Sequence, residues 1–277
     1  MIEKSVKKLL IKTKRQVFSE IAGNNPSLFK GEGFDFVELR EYMPGDDVKK
    51  IDWLISAKLQ KPYVKVFKEE RELNIVTALM LNGSTYFGTK RFKYELMAQI
   101  GAILGFSAIK NQDNFSYLLY ADKEYGAIRP TKNINAVTKF TEAVMRFEPL
   151  GKRADFEGLI QRLFKLRRRS IIFIISDFLE EVNLKVLAKK HEVVAIIVRD
   201  RFEEEPVELG FVNVLDPQSR ESLLVDLDGA TIKNYKKEIL RQDRVLYKDL
   251  KSAGVRFTKI YTHEDPFVKL LKLFGQR

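Results

Sequence analysis

A chain of 277 residues, 45% hydrophobic and 31% charged, can bury a full core and does not have the composition of a disordered tract. Lys and Arg number 49 against 38 Asp and Glu, a formal net charge of +11, which favours acidic proteins, nucleic acids or anionic membranes as partners. The lack of cysteine excludes a disulfide framework, a thiol nucleophile and thiolate metal sites, and fits a reducing compartment.

The most apolar runs, 171–175 and 193–198, fall far short of the roughly 20 residues that a spanning helix needs. Lysines interrupt Leu9, Leu10 and Ile11, where a signal peptide needs an unbroken apolar stretch. A cytoplasmic protein is expected.

Residues 2–21 set Val6, Leu9, Leu10, Val17, Phe18 and Ile21 at mostly helical spacing among lysines, which predicts a basic amphipathic helix. The expectation is that it docks its apolar stripe on its own domain, with peripheral contact to a membrane surface as the alternative. Asn24 to Ser27 break the pattern, and Gly31-Glu32-Gly33 marks a turn.

The stretch 31–53 is unusual. Phe34 and Phe36 alternate with polar residues as in a half-buried strand, and Pro44-Gly45 is a turn dipeptide. Asp46 or Asp47 is placed to cap a short helix carrying Ile51, Trp53 and Leu54. Five acids (Glu38, Glu41, Asp46, Asp47 and Asp52) lie near Arg40, Lys49 and Lys50. Two readings follow: an internal ion-pair and capping network with Trp53 as core anchor, or a partner-docking surface formed by Arg40, Glu41, Tyr42, Asp46, Asp47, Asp52 and Trp53. Isolated surface pairs contribute little stability, so such density needs one of these explanations.

From Leu73 onward strands and helices alternate. Strands are predicted at 73–81, 115–120, 125–128, 170–175, 193–198 and 255–260, and helices at 90–110, 134–146, 156–166, 181–190, 231–252 and 265 to the end. Several of these strands are apolar throughout, as in a sheet covered on both faces. The fold expected is therefore α/β, a doubly wound, mainly parallel sheet with an appended N-terminal subdomain, divided as 1–70 and 71–277. Functional loops in such folds lie beyond the carboxyl ends of the strands, here after Leu81, Ile175 and Val198.

Catalytic candidates are sparse. His191 and His263 lie at element ends with no Ser, Cys or second His patterned around them, and there is no phosphate-binding GxxxxGK[ST] loop. No catalytic residue is assigned.

The order Gly-Glu-Gly-Phe (31–34), Leu-Arg-Glu-Tyr (39–42), Pro-Gly-Asp-Asp (44–47) and Ile-Asp-Trp (51–53) resembles the signature of a prokaryotic domain-of-unknown-function family, number fifty-eight (DUF58). Phe87-Gly88, Ile175-Ser176-Asp177-Phe178 and Val198-Arg199-Asp200 extend the resemblance over about residues 30–270. It implies a von Willebrand factor A-like domain and a working association with a MoxR-type AAA+ ATPase and its client proteins.

A-type domains often hold a divalent cation on an Asp-x-Ser-x-Ser loop, a Thr and a further Asp. The matching loop here is Asn82-Gly83-Ser84-Thr85-Tyr86, and Ala154 stands where the threonine is expected. The site implied is degenerate, at most Asn82, Ser84, Asp155 and Asp177, with Thr85 as a nearby substitute and Arg153 as a competitor for the remaining acid. No cofactor is expected, Mg²⁺ at most weakly, because an amide in place of a carboxylate removes charge that affinity depends on. Alternatively Asp177 closes a strand-end turn and caps the next helix.

The function expected is a non-enzymatic interaction module. The rivals are a nucleic-acid binder using Arg167-Arg168-Arg169 and the basic N-terminal helix, and a metal-dependent hydrolase using Asp177, Asp155 and Ser84. Dispersed basic residues without an aromatic platform argue against nucleic acid as a partner.

Overall fold

The computed structural model describes residues 2–20, 38–46, 48, 51–66 and 72–275. The expected break at 24–27, the Gly31–Gly33 turn, the alternation of Phe34 and Phe36, and Asp47, Lys49 and Lys50 lie outside the described residues. The chain divides into two compact units, residues 1–29 with 73–277, and residues 30–72.

The first unit begins with α1 (Ile2–Glu20) and continues through β3 (Asn74–Met80), α3 (Lys93–Lys110), β4 (Asn114–Tyr120), β5 (Glu124–Ala127), α4 (Asn135–Met145) and α5 (Phe156–Phe164). Then come β6 (Ile171–Ser176), α6 (Lys185–Lys190), β7 (Glu192–Arg199), α7 (Arg201–Glu204), β8 (Gly210–Leu215), β9 (Ser222–Leu227), α8 (Gly229–Ser252), β10 (Arg256–Tyr261) and α9 (Pro266–Gly275). The second unit holds β1 (Glu38–Glu41), α2 (Trp53–Leu59) and β2 (Tyr63–Val66), with β1 and β2 antiparallel.

Six strands form the central sheet in the order β10-β7-β6-β3-β4-β5. All neighbours are parallel except β5, which returns antiparallel on β4. Because side chains alternate along a strand, each central strand feeds two cores. Ile75, Leu79, Phe173, Ile175, Val194 and Ile196 pack in one, toward α1, α3, α4 and α9. Val76, Ala78, Ile172, Ile174, Ala195 and Ile197 pack in the other, with Leu159 of α5, Leu187 of α6 and Leu250 of α8. Strands covered on both faces need apolar residues at every position, which is why 171–175 and 193–198 read as unbroken runs.

α1 belongs to the sheet unit, a correction to the division at residue 70. Val6 and Val17 are buried in the first core, with Leu9 and Leu10 packed against it, so the apolar stripe does dock on its own domain. α1 lies on α3 and α4, and α3 is consequently buried along most of its length from Leu96 to Ala108. α3 approaches α4 closely at Gly101, where an added Cβ would meet the Phe140 ring at 2.2 Å.

Between β7 and α8, where the sequence predicts no element, lie the short helix α7 and an antiparallel hairpin, β8 and β9, joined by a turn at 216–221. Its strands were not expected. They are exposed along most of their length, and their sequence, with Asn213 and Asp226 among the apolar residues, lacks the continuous run of a buried strand.

Candidate functional site

β4, β3 and β6 lie side by side and parallel, so the loops leaving them share the sheet's carboxyl edge. Gly83 N–H donates to the Lys152 carbonyl (2.8 Å), joining the loop after β3 to the one before α5. Residues 83–85 form a single 3-10 turn, closed where the Thr85 hydroxyl donates to the Asn82 carbonyl (2.7 Å). The turn aims Ser84 at β6, and its hydroxyl donates to Asp177 Oδ2 (2.5 Å). Asn82 Nδ2 donates to Ser84 Oγ (2.9 Å) and to Glu180 Oε1 (3.1 Å). Asn82, Ser84 and Asp177 are thus brought together as the sequence implied.

A residue absent from that expectation completes the cluster. Lys93, the first residue of α3, buries its whole side chain and donates from Nζ to Asp177 Oδ2 at 2.9 Å and to Glu203 of α7. Both Lys93 and Asp177 have no solvent exposure. Burial works against the ammonium, but Asp177 and Glu203 outweigh it and hold Lys93 above the ordinary lysine value. Burial alone would raise Asp177, yet Lys93 and the Ser84 hydroxyl, with Arg199 behind them, keep it below the ordinary carboxylate value. The two partners of Lys93 differ, for burial wins at Glu203, with Asp177 adding to it, and pushes that carboxyl up. Asp177 does not cap a helix; α6 starts only at Lys185.

Asp155 does not join this cluster. It is the N-cap of α5, accepting from Gly158 N–H (2.9 Å), and the Tyr120 hydroxyl donates to its other oxygen (3.4 Å). Arg153 is exposed, and the carboxylate its charge acts on is Asp216 in the hairpin turn rather than Asp177. The donor set therefore does not fit a divalent cation. One carboxylate remains, already held by an ammonium; the amide of Asn82 replaces the other; and Asp155 is engaged elsewhere. Among the described residues no three His, Asp or Glu side chains gather as metal ligands.

The hairpin turn lies over this edge. Pro217 accepts from Gly151 N–H (2.8 Å), Arg220 donates to the Leu150 carbonyl (3.0 Å), and Gln218 Nε2 donates to Glu180 Oε1 (2.5 Å). Glu180 is pushed up by burial and by the negative charge of Asp177, against the bonds from Gln218 and Asn82. Beside it, a groove of about 550 Å³ opens between the loop after β6 and α8, lined by Glu180, Val182, Leu184, Arg241, Val245 and Asp249.

Among the described residues of the smaller unit, Arg40, Glu41, Asp46 and Asp52 are each partnered. Arg40 grips Asp46 with two bonds (2.7 and 2.6 Å), and Asp46 also accepts from Met43 N–H (2.9 Å). Asp52, not Asp46, caps α2, accepting from Leu54 and Ile55 N–H (3.1 Å each). Glu41 pairs with Lys61 at the surface (2.8 Å), and Tyr42 N–H donates to the Pro62 carbonyl (2.8 Å). Trp53 is no core anchor: it is 67% exposed, with Leu54 beside it at 72%. A short helix capped by Asp52 starts with Trp53 on its open side, whereas Ser56 takes the buried position.

The family model described as "Protein of unknown function DUF58" matches residues 38–245. The chain belongs to the DUF58 family. It is 25% identical over 281 residues to the uncharacterized proteins Rv1480 of Mycobacterium tuberculosis and Mb1516 of Mycobacterium bovis, covering 99% of this chain and 89% of each relative. Among solved structures it is similar to the conserved hypothetical protein BatB from Bacteroides thetaiotaomicron (TM-score 0.47, 10% identity, 74% of this chain and 98% of that one). Another is an aerotolerance-related membrane protein from Bacteroides fragilis (TM-score 0.44, 11% identity, 74% and 97%).

The DUF58 match covers the small unit from residue 38, the loops at the carboxyl edge, Lys93 and the hairpin. Arg167, Arg168 and Arg169 are exposed just before β6, at the amino end of the strand and so away from that edge. His191 is a buried structural histidine whose Nδ1 accepts from Ser170 N–H (3.2 Å). No described helix is long and apolar enough to cross a membrane.

Proposed function

We propose that this DUF58 chain is a von Willebrand factor A-type interaction module without catalytic machinery, working in the cytoplasm with a MoxR-type AAA+ ATPase to mature or remodel protein complexes. The observation that carries the reading is the hairpin of β8 and β9. Phe211, Leu215 and Leu224, 74%, 53% and 63% exposed, share one face of a two-stranded ribbon whose turn is tied to the carboxyl edge. Two strands alone are marginally stable in water, and exposed apolar clusters of this kind belong to binding surfaces. A second apolar surface, Trp53 with Leu54, supports the same reading from the smaller unit, where Arg40 is paired with Asp46 and Glu41 with Lys61. The sequence signature supports the identity of the partner.

The cluster at Asp177 supports the non-catalytic part. Asp177 is neutralised by Lys93 and bonded by Ser84, Glu203 shares the same ammonium, and Glu180 accepts from Asn82 and Gln218, so each carboxyl of the cluster is engaged and no nucleophile is activated. The test is affinity capture from the chain's own cell extract with wild type and with a Phe211→Ser/Leu224→Ser variant. The reading expects a MoxR-type ATPase with wild type and its loss with the variant. Wild type without any AAA+ protein would overturn it.

A further inference from the structure

The position of Lys93 is hard to account for by local forces. It stands at the first position of α3, where the helix dipole disfavours a cation, and burying an ammonium is costly unless it is paired. Its Nζ nevertheless reaches past the end of its own helix to Asp177 of the loop after β6 and to Glu203 of α7. Three separate segments therefore converge on one positive charge at the carboxyl edge, and Ser84 adds a fourth through the same Asp177 oxygen.

We infer that Lys93 is the resident cation of this edge, a covalently tethered replacement for a divalent ion that excludes one from Asp177. A Mg²⁺ ion requires oxygens at about 2.0–2.1 Å in a near-octahedral shell. Asp177 Oδ2 already accepts from Nζ at 2.9 Å and from Ser84 at 2.5 Å, and an ion on either oxygen of this buried carboxylate would lie beside the ammonium and be repelled by its charge. Expelling the ammonium would leave a lysine buried without its partners. Asn82 supports the exchange, since its amide adds no negative charge and its Nδ2 donates toward Ser84 and Glu180 as a metal-bound carboxylate could not. The edge is thus held together at any metal concentration. This inference does not depend on the identity of a partner.

Removing the tether should restore a vacancy flanked by Asp177 and Glu203. Purified wild type and Lys93→Ala are titrated with Mn²⁺ by electron paramagnetic resonance and with Mg²⁺ by thermal unfolding, each with an Asp177→Ala counterpart. Wild type is expected to bind no Mn²⁺ and to keep its melting temperature at millimolar Mg²⁺. Lys93→Ala is expected to melt lower in chelator and to recover with metal, saturably and only when Asp177 is present. Stoichiometric Mn²⁺ on wild type, lost with Asp177→Ala, overturns the inference. So does a folded Lys93→Ala that gains no metal response. The wild-type titration decides alone where the variant fails to fold, absence of bound Mn²⁺ then supporting the inference.

Discussion

Gly83 lies directly beneath Pro217: a Cβ added to the glycine would sit 2.1 Å from the proline's carbonyl oxygen. The Pro217 oxygen and carbon that the Cβ would meet are backbone atoms, so they cannot swing aside as a side chain would. The contact ties the hairpin turn to the loop after β3, together with the Gly151 to Pro217 bond. Gly83→Ala should lift the turn and destabilise the chain by about 1–3 kcal/mol, the usual cost of overpacking. Denaturant midpoints measure the loss, and faster hydrogen exchange across 216–221 locates it. Unchanged exchange there would refute the arrangement.

Lys93 and Asp177 form a buried pair whose halves depend on each other. Lys93→Met or Asp177→Asn alone should cost about 3–5 kcal/mol, because each leaves a charge or polar group without its partner. The double variant should recover a large part of that loss, and a double-mutant cycle by urea unfolding measures the coupling. Near-additive losses would mean the pair contributes little. The sign with pH follows from the shifts. Asp177, held low, supplies stability that is full above its unfolded value and lost as pH falls through its native one. Lys93, held high, supplies stability that is full below its unfolded value and lost as pH rises through its native one. The pair's contribution is therefore flat across neutral pH.

Glu180 behaves oppositely to Asp177. Burial and the charge of Asp177 hold it above the ordinary carboxyl value, so the native chain binds its proton more tightly than the unfolded chain. Its contribution is full below the unfolded value of about 4.3 and is lost as pH rises through the native value. Glu180→Gln keeps Oε1 as acceptor for Asn82 and Gln218 while removing the titration. Urea melts below and above that window should show the variant gaining on wild type as pH rises. A variant that falls further behind would contradict this.

Much of the sheet unit is legible in the sequence because burial on both faces leaves a plain signal. The runs predicted at 170–175 and 193–198 appear as Ile171–Ser176 and Glu192–Arg199, and the helix predicted at 231–252 as Gly229–Ser252. The hairpin of β8 and β9 is not legible, since an exposed ribbon needs no apolar run and Pro206 and Pro217 read as breaks. Apolar strands point to the loops after Leu81 and Ile175, and the resemblance to A-type domains singles out Ser84 and Asp177 within them. Lys93 is missed because nothing local separates it from Lys90 or Lys110; only the fold brings it to residues 84 and 110 positions away in the chain. Trp53 illustrates the reverse error, a large aromatic assigned to a core by its type alone.

Trp53 and Asp52 should separate docking from stability within the smaller unit. Trp53→Ala, at an exposed position, should change stability by no more than about 0.5 kcal/mol. Asp52→Ala removes the cap of α2 and should cost about 1 kcal/mol. Proteolysis rates of the purified chain give both values. A larger loss from Trp53→Ala than from Asp52→Ala would restore the tryptophan to a structural role.

The central claim is that the exposed hairpin serves a protein partner. Its most direct test is an equilibrium titration of purified chain against the MoxR-type ATPase of the same cell, by calorimetry, for wild type and Phe211→Ser/Leu224→Ser. The account predicts saturable binding by wild type and at least a tenfold weaker isotherm for the variant, about 1.4 kcal/mol. Heat indistinguishable from dilution with wild type, or equal affinity for both forms, would contradict it.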